Sequence, residues 1–117
     1  MESAAPTRWP EPTGDALAIT ASLSGDTTVA TPASGKHLGL QYICLSADGA
    51  NTADVTVIVK FGAAGGAKYK VSLKAGAIWA RNIGARMRWL PGAVDEALFV
   101  NLSAAQIVHV SIESEDV

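Results

Sequence analysis

Residues Asp54–Phe61 read DVTVIVKF. In an extended chain Val55, Val57, Val59 and Phe61 fall on one face, and Asp54, Thr56 and Lys60 on the other. Strict alternation built on β-branched residues predicts a half-buried strand. Upstream, Lys36–Ser46 (KHLGLQYICLS) sets Leu38, Leu40, Tyr42 and Cys44 on one face and His37, Gln41, Ile43 and Leu45 on the other. A strand apolar on both faces is expected at the centre of a sheet. The same period of two recurs in Asp15–Leu23, Thr27–Thr31, Ala67–Leu73, Ala77–Ile83, Ala97–Leu102 and Gln106–Ile112, with Ser24-Gly25-Asp26, Asp48–Asn51 and Gly62–Gly66 as turns or loops between them. No stretch sustains helical spacing for the ~12 residues a helix needs; Ala93–Leu98 and Ser103–Gln106 have room for one turn each. The chain is therefore expected to be all-β: an antiparallel β-sandwich or jelly roll of about eight short strands spanning residues 15–117.

Residues 1–14 (MESAAPTRWPEPTG) differ. They hold Pro6, Pro10 and Pro12 with Trp9 and no periodic apolar pattern. Proline fixes φ and biases the preceding residue toward extended conformations, so an extended N-terminal arm is predicted. Such an arm needs a surface to lie on, either its own domain through Trp9 or a neighbouring subunit.

The composition narrows the function classes. At 117 residues the chain fits one domain, which buries roughly 65% of its unfolded surface without help from disulfides or metals. Charged residues are only 17% of the chain against ~25% in typical domains, which points to surface covered by a partner. A net charge of −2 argues against a dedicated nucleic-acid or anionic-membrane binder. No apolar run approaches the ~20 residues of a membrane-spanning helix, and the N-terminus lacks the apolar core of a signal peptide. A soluble protein made in the cytoplasm is expected.

Catalytic chemistry finds little to stand on. His37 and His109 lie on outward strand positions, Cys44 is expected to be a small buried hydrophobe, and Asp95-Glu96 point apart. No metalloprotease, nucleophile-elbow, phosphate-loop or dinucleotide motif occurs, and two histidines without a local carboxylate make a poor metal site. No catalytic, cofactor or metal residue is assigned, and no small-molecule substrate is expected. The acidic tail Glu113–Asp116 reads as a solvated C-terminus.

Charge is distributed unevenly. Lys36, Lys60, Lys68, Lys70, Lys74, Arg81, Arg86 and Arg88 face only Asp48 and Asp54 within residues 36–88, while both flanks are acidic. Either neighbouring strands neutralise one another, or the molecule has a basic and an acidic side suited to contact copies of itself or an acidic surface. Within this stretch Trp79–Trp89 (WARNIGARMRW) gathers three of the four arginines and two of the three tryptophans. Trp and Arg are the side chains enriched in interface anchors, although Trp79 and Trp89 could equally fill the sandwich core. Arg8, Trp9, Trp79, Arg81, Arg86, Arg88 and Trp89 are the candidate protein–protein interface residues.

The order of these elements resembles the small β-sandwich accessory virion proteins of tailed bacteriophages. The resemblance covers roughly residues 36–112 and is carried by Lys36-His37-Leu38, Leu45–Ala50, Lys60-Phe61-Gly62, Leu73–Ala77 and Glu96–Ala104. It implies a structural protein of capsid decoration (cement), head-fibre-base or tail type, commonly trimeric, with the major capsid protein as partner and a place on the virion. The Trp/Arg-rich 79–89 segment departs from the more Gly/Pro-rich loop expected there. A carbohydrate-binding module remains the alternative from another class, since exposed tryptophans on a sandwich can stack on sugars.

Overall fold

A computed structural model describes residues 15–83 and 90–117. Nine strands are present among them: β1 (Asp15–Ala21), β2 (Gly25–Ala30), β3 (His37–Ala47), β4 (Val55–Phe61), β5 (Ala67–Leu73), β6 (Ile78–Asn82), β7 (Leu90–Val94), β8 (Leu98–Leu102) and β9 (Val108–Asp116). All pairings are antiparallel. Sheet I runs β1-β9-β3-β6, with β7 also on β3; sheet II runs β2-β8-β4-β5. The chain changes sheet at almost every connection, and only β4 and β5 form a sequential hairpin. This winding is the jelly-roll form of the two-sheet sandwich.

The core lies between the sheets. Sheet I contributes Leu38, Leu40, Ile43, Leu45, Val108, Val110 and Ile112, and sheet II contributes Val55, Val57, Val59, Phe61, Leu98, Val100 and Leu102, all buried. DVTVIVKF behaves as its alternation predicts, with buried and half-buried residues in turn along β4.

β3 departs from the simple alternation. Leu40 pairs with Ser114 of β9 but Tyr42 pairs with Glu113, so Gln41 is an extra residue, a β-bulge. Before it Leu38 and Leu40 face the core; after it Ile43, Leu45 and Ala47 do. The bulge thus explains the strand that looked apolar on both faces. It also corrects the expectation for Cys44, which with Tyr42 lies on the outer face and is only partly buried. The same residue divides the neighbouring edge: β7 pairs with His37–Leu40 and β6 with Tyr42–Ser46, and the Gln41 carbonyl accepts from the Ile83 amide at 2.8 Å.

One strand lies outside those expected from the sequence, and one expectation is overturned. β7 runs through Pro91-Gly92, a pair common in turns. It forms because it pairs on one side only, where proline is tolerated. Gly92 allows β7 to close over the core, since a Cβ there would stand 2.6 Å from the Phe61 ring. The acidic tail is not a solvated end. β9 continues to Asp116, paired with both β1 and β3 through Ser114 and with β3 alone at Glu115 and Asp116, so backbone pairing holds it despite its polar side chains.

Candidate functional site

The two sheets have similar interiors and different exteriors. On the outside of sheet I three rows cross all four strands: Thr20–His109–Ser46–Ile78, Ala18–Ser111–Cys44–Ala80 and Ala16–Glu113–Tyr42–Asn82. Glu113 is the sole carboxylate in these rows, and there is no Lys or Arg. Ile78 is 69% exposed. A depression of about 260 Å³ opens on this face, lined by Ala16, Leu17, Ala18, Tyr42, Ser111, Ile112 and Glu113. That is smaller than the ~300–1,000 Å³ of a small-molecule pocket. The Tyr42 phenol is held above its ordinary range, first by its hydrogen bond to Cys44 and then by the charge of Cys44, burial and Glu113.

At one corner of the face His109 joins two other strands or turns. Its Nε2 lies 3.1 Å from Asp48 Oδ2, in the turn after β3, and its Nδ1 lies 3.3 Å from Thr20 Oγ1 on β1. With the Nε2 proton directed at Asp48, Nδ1 accepts from the Thr20 hydroxyl. This carboxylate was not legible in the sequence, because Asp48 and His109 are far apart in the chain and meet only through the β3–β9 pairing. The order hydroxyl–imidazole–carboxylate is that of an acyl-transfer nucleophile and its base. Here it lies on an open strand surface with the His109 side chain 46% exposed, so water has free access to it. Asp48 also accepts from the Ala50 amide at 2.8 Å, and that bond, ahead of His109, holds its carboxyl below the usual range. The constellation ties the 48–51 turn to β9. Asn51 does the same one step on, exchanging two 2.8 Å bonds with the Ile107 backbone.

The outside of sheet II is charged. Lys60 lies 3.1 Å from Asp26, which also accepts from Asn101 at 2.7 Å. These two hydrogen bonds, that of Asn101 first, pull the Asp26 carboxyl below its ordinary value. On the edge strand β5, Lys68 and Lys70 project outward, and Lys74 follows in the turn; all three are exposed. Lysines along an edge strand also guard it against strand addition.

Of the seven predicted interface residues, the structure describes Trp79 and Arg81; Arg8, Trp9, Arg86, Arg88 and Trp89 lie outside the described residues. Trp79 pairs with Leu45 on β3 and so shares the inner face of sheet I. It is half-buried against the core, its ring 5.2 Å from that of Tyr69 on β5. The pair closes the side of the sandwich where the edges of the two sheets meet. Arg81, on the same face of β6 and exposed, stands 6.0 Å from the Tyr69 ring centroid. Trp79 thus packs as a core-edge residue, with Arg81 and the β5 lysines forming a basic strip beside it.

The other polar groups at the sequence-predicted positions serve the fold. His37 donates from Nδ1 to the Gly92 carbonyl at 2.8 Å, fixing β7 to β3. Asp95 adopts a left-handed conformation, φ 63°, and accepts from the Gly35 amide, while Glu96 accepts from the Ala93 amide. These two carboxylates clasp loops rather than face each other. Among the described residues no group of three or more His, Cys, Asp and Glu side chains is placed to hold a metal ion, and no helix is long and apolar enough to cross a membrane.

Compared with protein families and with curated proteins, the chain matches none. Among solved structures, the crystal structure of PirA superposes with a TM-score of 0.48 at 11% identity, covering 95% of this chain and 100% of that one. At that level nothing about function is transferred from it. The fold defines the class: an all-β, antiparallel jelly-roll sandwich.

Proposed function

We propose that the chain is a structural protein of the accessory virion type, a capsid decoration protein that binds the outside of a phage head and stabilises the shell. It works by surface contact and without a catalytic centre, cofactor or metal. Binding only the assembled lattice shifts the assembly equilibrium toward the intact shell by mass action. The observation that carries the reading is the basic strip on the β5–β6 side. Lys68, Lys70, Lys74 and Arg81 are exposed there, whereas Lys60 is already matched by Asp26. Such a strip fits an acidic outer surface of a major capsid protein. Two further points support it. The resemblance over residues 36–112 falls on strands β3 to β9, and jelly rolls recur among viral capsid proteins, although that is an analogy at the level of the fold.

The test is copy number in purified virions together with cosedimentation on assembled heads. A decoration protein is present in proportion to the capsid subunits; a tail or head-fibre-base part is confined to one site; absence from virions overturns the reading. The double substitution Lys68→Glu/Lys70→Glu is expected to weaken head binding about tenfold or more and to reduce its salt dependence. Unchanged binding removes the basic strip from the mechanism.

A further inference from the structure

The outer face of sheet I is a poor surface to leave in water. Its three rows hold alanines, hydroxyls, Asn82, Cys44, Tyr42 and Ile78, with His109 and Glu113 but no Lys or Arg, and the depression opens among them. A contiguous face of this kind marks a contact. Its size limits what can cover it. Four strands by three rows span roughly 20 Å by 20 Å on ordinary strand spacings, about half of the ~800 Å² per partner that a stable complex of two folded surfaces needs. A narrow, extended peptide matches that strip better than a second sheet would.

The chain carries such a peptide. Residues 1–14 join β1 at Asp15, beside the row that holds Ala16, Glu113 and Tyr42. The segment contains one aromatic residue, Trp9, and one cationic side chain, Arg8, next to each other. The face holds a depression of side-chain size and, at its rim, the carboxylate of the three rows, Glu113. Pro6, Pro10 and Pro12 favour an extended conformation, so little conformational freedom is lost on docking.

Reach decides between the segment's own face and another copy's. Trp9 is six residues before Asp15 with Pro10 and Pro12 between them, and at ~3.1 Å per residue that places it about 19 Å from the start of β1. The depression begins one residue beyond Asp15, at Ala16. Running straight on from β1, the segment would carry Trp9 past its own depression and could return only by a reversal at Thr13-Gly14, whereas a depression on an adjacent molecule is met without one.

We propose that residues 1–14 of one copy lie across the outer face of sheet I of a second copy, with Trp9 seated in the depression between β1 and β3 and Arg8 against Glu113. The two copies are then joined by exchanged arms, and the basic strip of each is left free. This inference goes beyond the virion reading and does not depend on it, because it concerns the purified chain alone.

Light scattering across a dilution series of the full chain tests it. An oligomer is expected, and Trp9→Ala and Ala18→Arg are each expected to raise its dissociation constant at least tenfold. Glu113→Arg should weaken association, and Arg8→Glu combined with Glu113→Arg should restore it. That rescue keeps the test sound if Ala18→Arg fails to fold. A wild-type chain that is monomeric at every concentration overturns the proposal, as does an oligomer indifferent to Trp9→Ala and to the charge exchange. A monomer in which Trp9 fluorescence reports burial likewise overturns it, in favour of the arm covering its own face. Head binding by a monomer would leave the virion reading standing while this one falls; an arm-dependent oligomer that ignores heads would do the reverse.

Discussion

Sheet I and sheet II face each other across one core, yet their outer surfaces have little in common. The inner layers are interchangeable in kind: valines, leucines and isoleucines, fully buried, from both sheets. Outside, sheet II carries Asp26, Lys60, Lys68 and Lys70, with Asn101 and Lys60 hydrogen-bonded to Asp26. Sheet I carries one carboxylate in three rows and a shallow depression. Folding constrains the inner positions of both sheets equally, so it cannot be what makes the outer positions differ. On the proposals above, the difference reflects what each face meets: an acidic surface for the lysine-bearing side of sheet II, and the N-terminal arm of another copy for sheet I.

If the interiors are equivalent, matched truncations should cost the same on either side. Leu45→Ala in sheet I and Leu102→Ala in sheet II remove fully buried side chains, and each is expected to lower unfolding free energy by about 2–5 kcal/mol in urea titration. A loss several-fold smaller at one site would break the equivalence and show that one sheet is loosely packed.

A smaller effect is expected where the two sheets touch at the bulged end of β3. Gly92→Ala drives a methyl into the Phe61 ring, whereas Gly49→Ala meets nothing within 4 Å. Overpacking of this kind costs about 1–3 kcal/mol, so Gly92→Ala should lower the melting temperature and Gly49→Ala should leave it nearly unchanged. Equal behaviour of the two would mean that β7 shifts freely and does not seal the core.

Sequence alone carried the fold a long way because most strands here are half-buried, and half-burial writes a period of two. DVTVIVKF is the clearest case: β4 alternates as read. Reading failed where a local signal competed with tertiary pairing. Gln41 shifts the phase of β3 by one residue, and a bulge leaves no mark in an apolar run. Pro91-Gly92 carries turn chemistry yet pairs as β7 because one side of that strand needs no partner. Glu113–Asp116 looks soluble but is held on both sides by β1 and β3 over part of its length. The site was less legible than the fold. Trp79 was singled out for its chemistry, but whether it faces in or out depends on its register opposite Leu45. The uncharged outer face is assembled from four strands scattered through the chain, each contributing ordinary small residues, so no single segment announces it.

The smallest expected effect separates the two faces electrostatically. Asp26 on sheet II has a folded-state carboxyl pKa below its ordinary value of 3.8, through Asn101 first and Lys60 second. A carboxylate shifted in that direction favours the fold when ionised in both states. Its contribution is therefore complete above pH 3.8 and is lost as pH falls through the lower, folded-state value. Asp26→Asn should accordingly be less stable than the wild type at pH 7 and pH 5, with the gap closing in more acid solution, and added salt should narrow it because Asp26 is open to solvent beside the Lys60 charge. Asp48 on the sheet I side is shifted the same way, but first by the Ala50 amide, a bond within its own turn, and only then by His109. Asp48→Asn should show the same acid window with weaker salt dependence, since Asp26 has the fixed charge of Lys60 beside it whereas Asp48 is held by a backbone amide and an imidazole. Identical salt responses at the two positions would mean that the charged character of sheet II has no energetic consequence of its own, and would reduce the contrast between the faces to the uncharged patch alone.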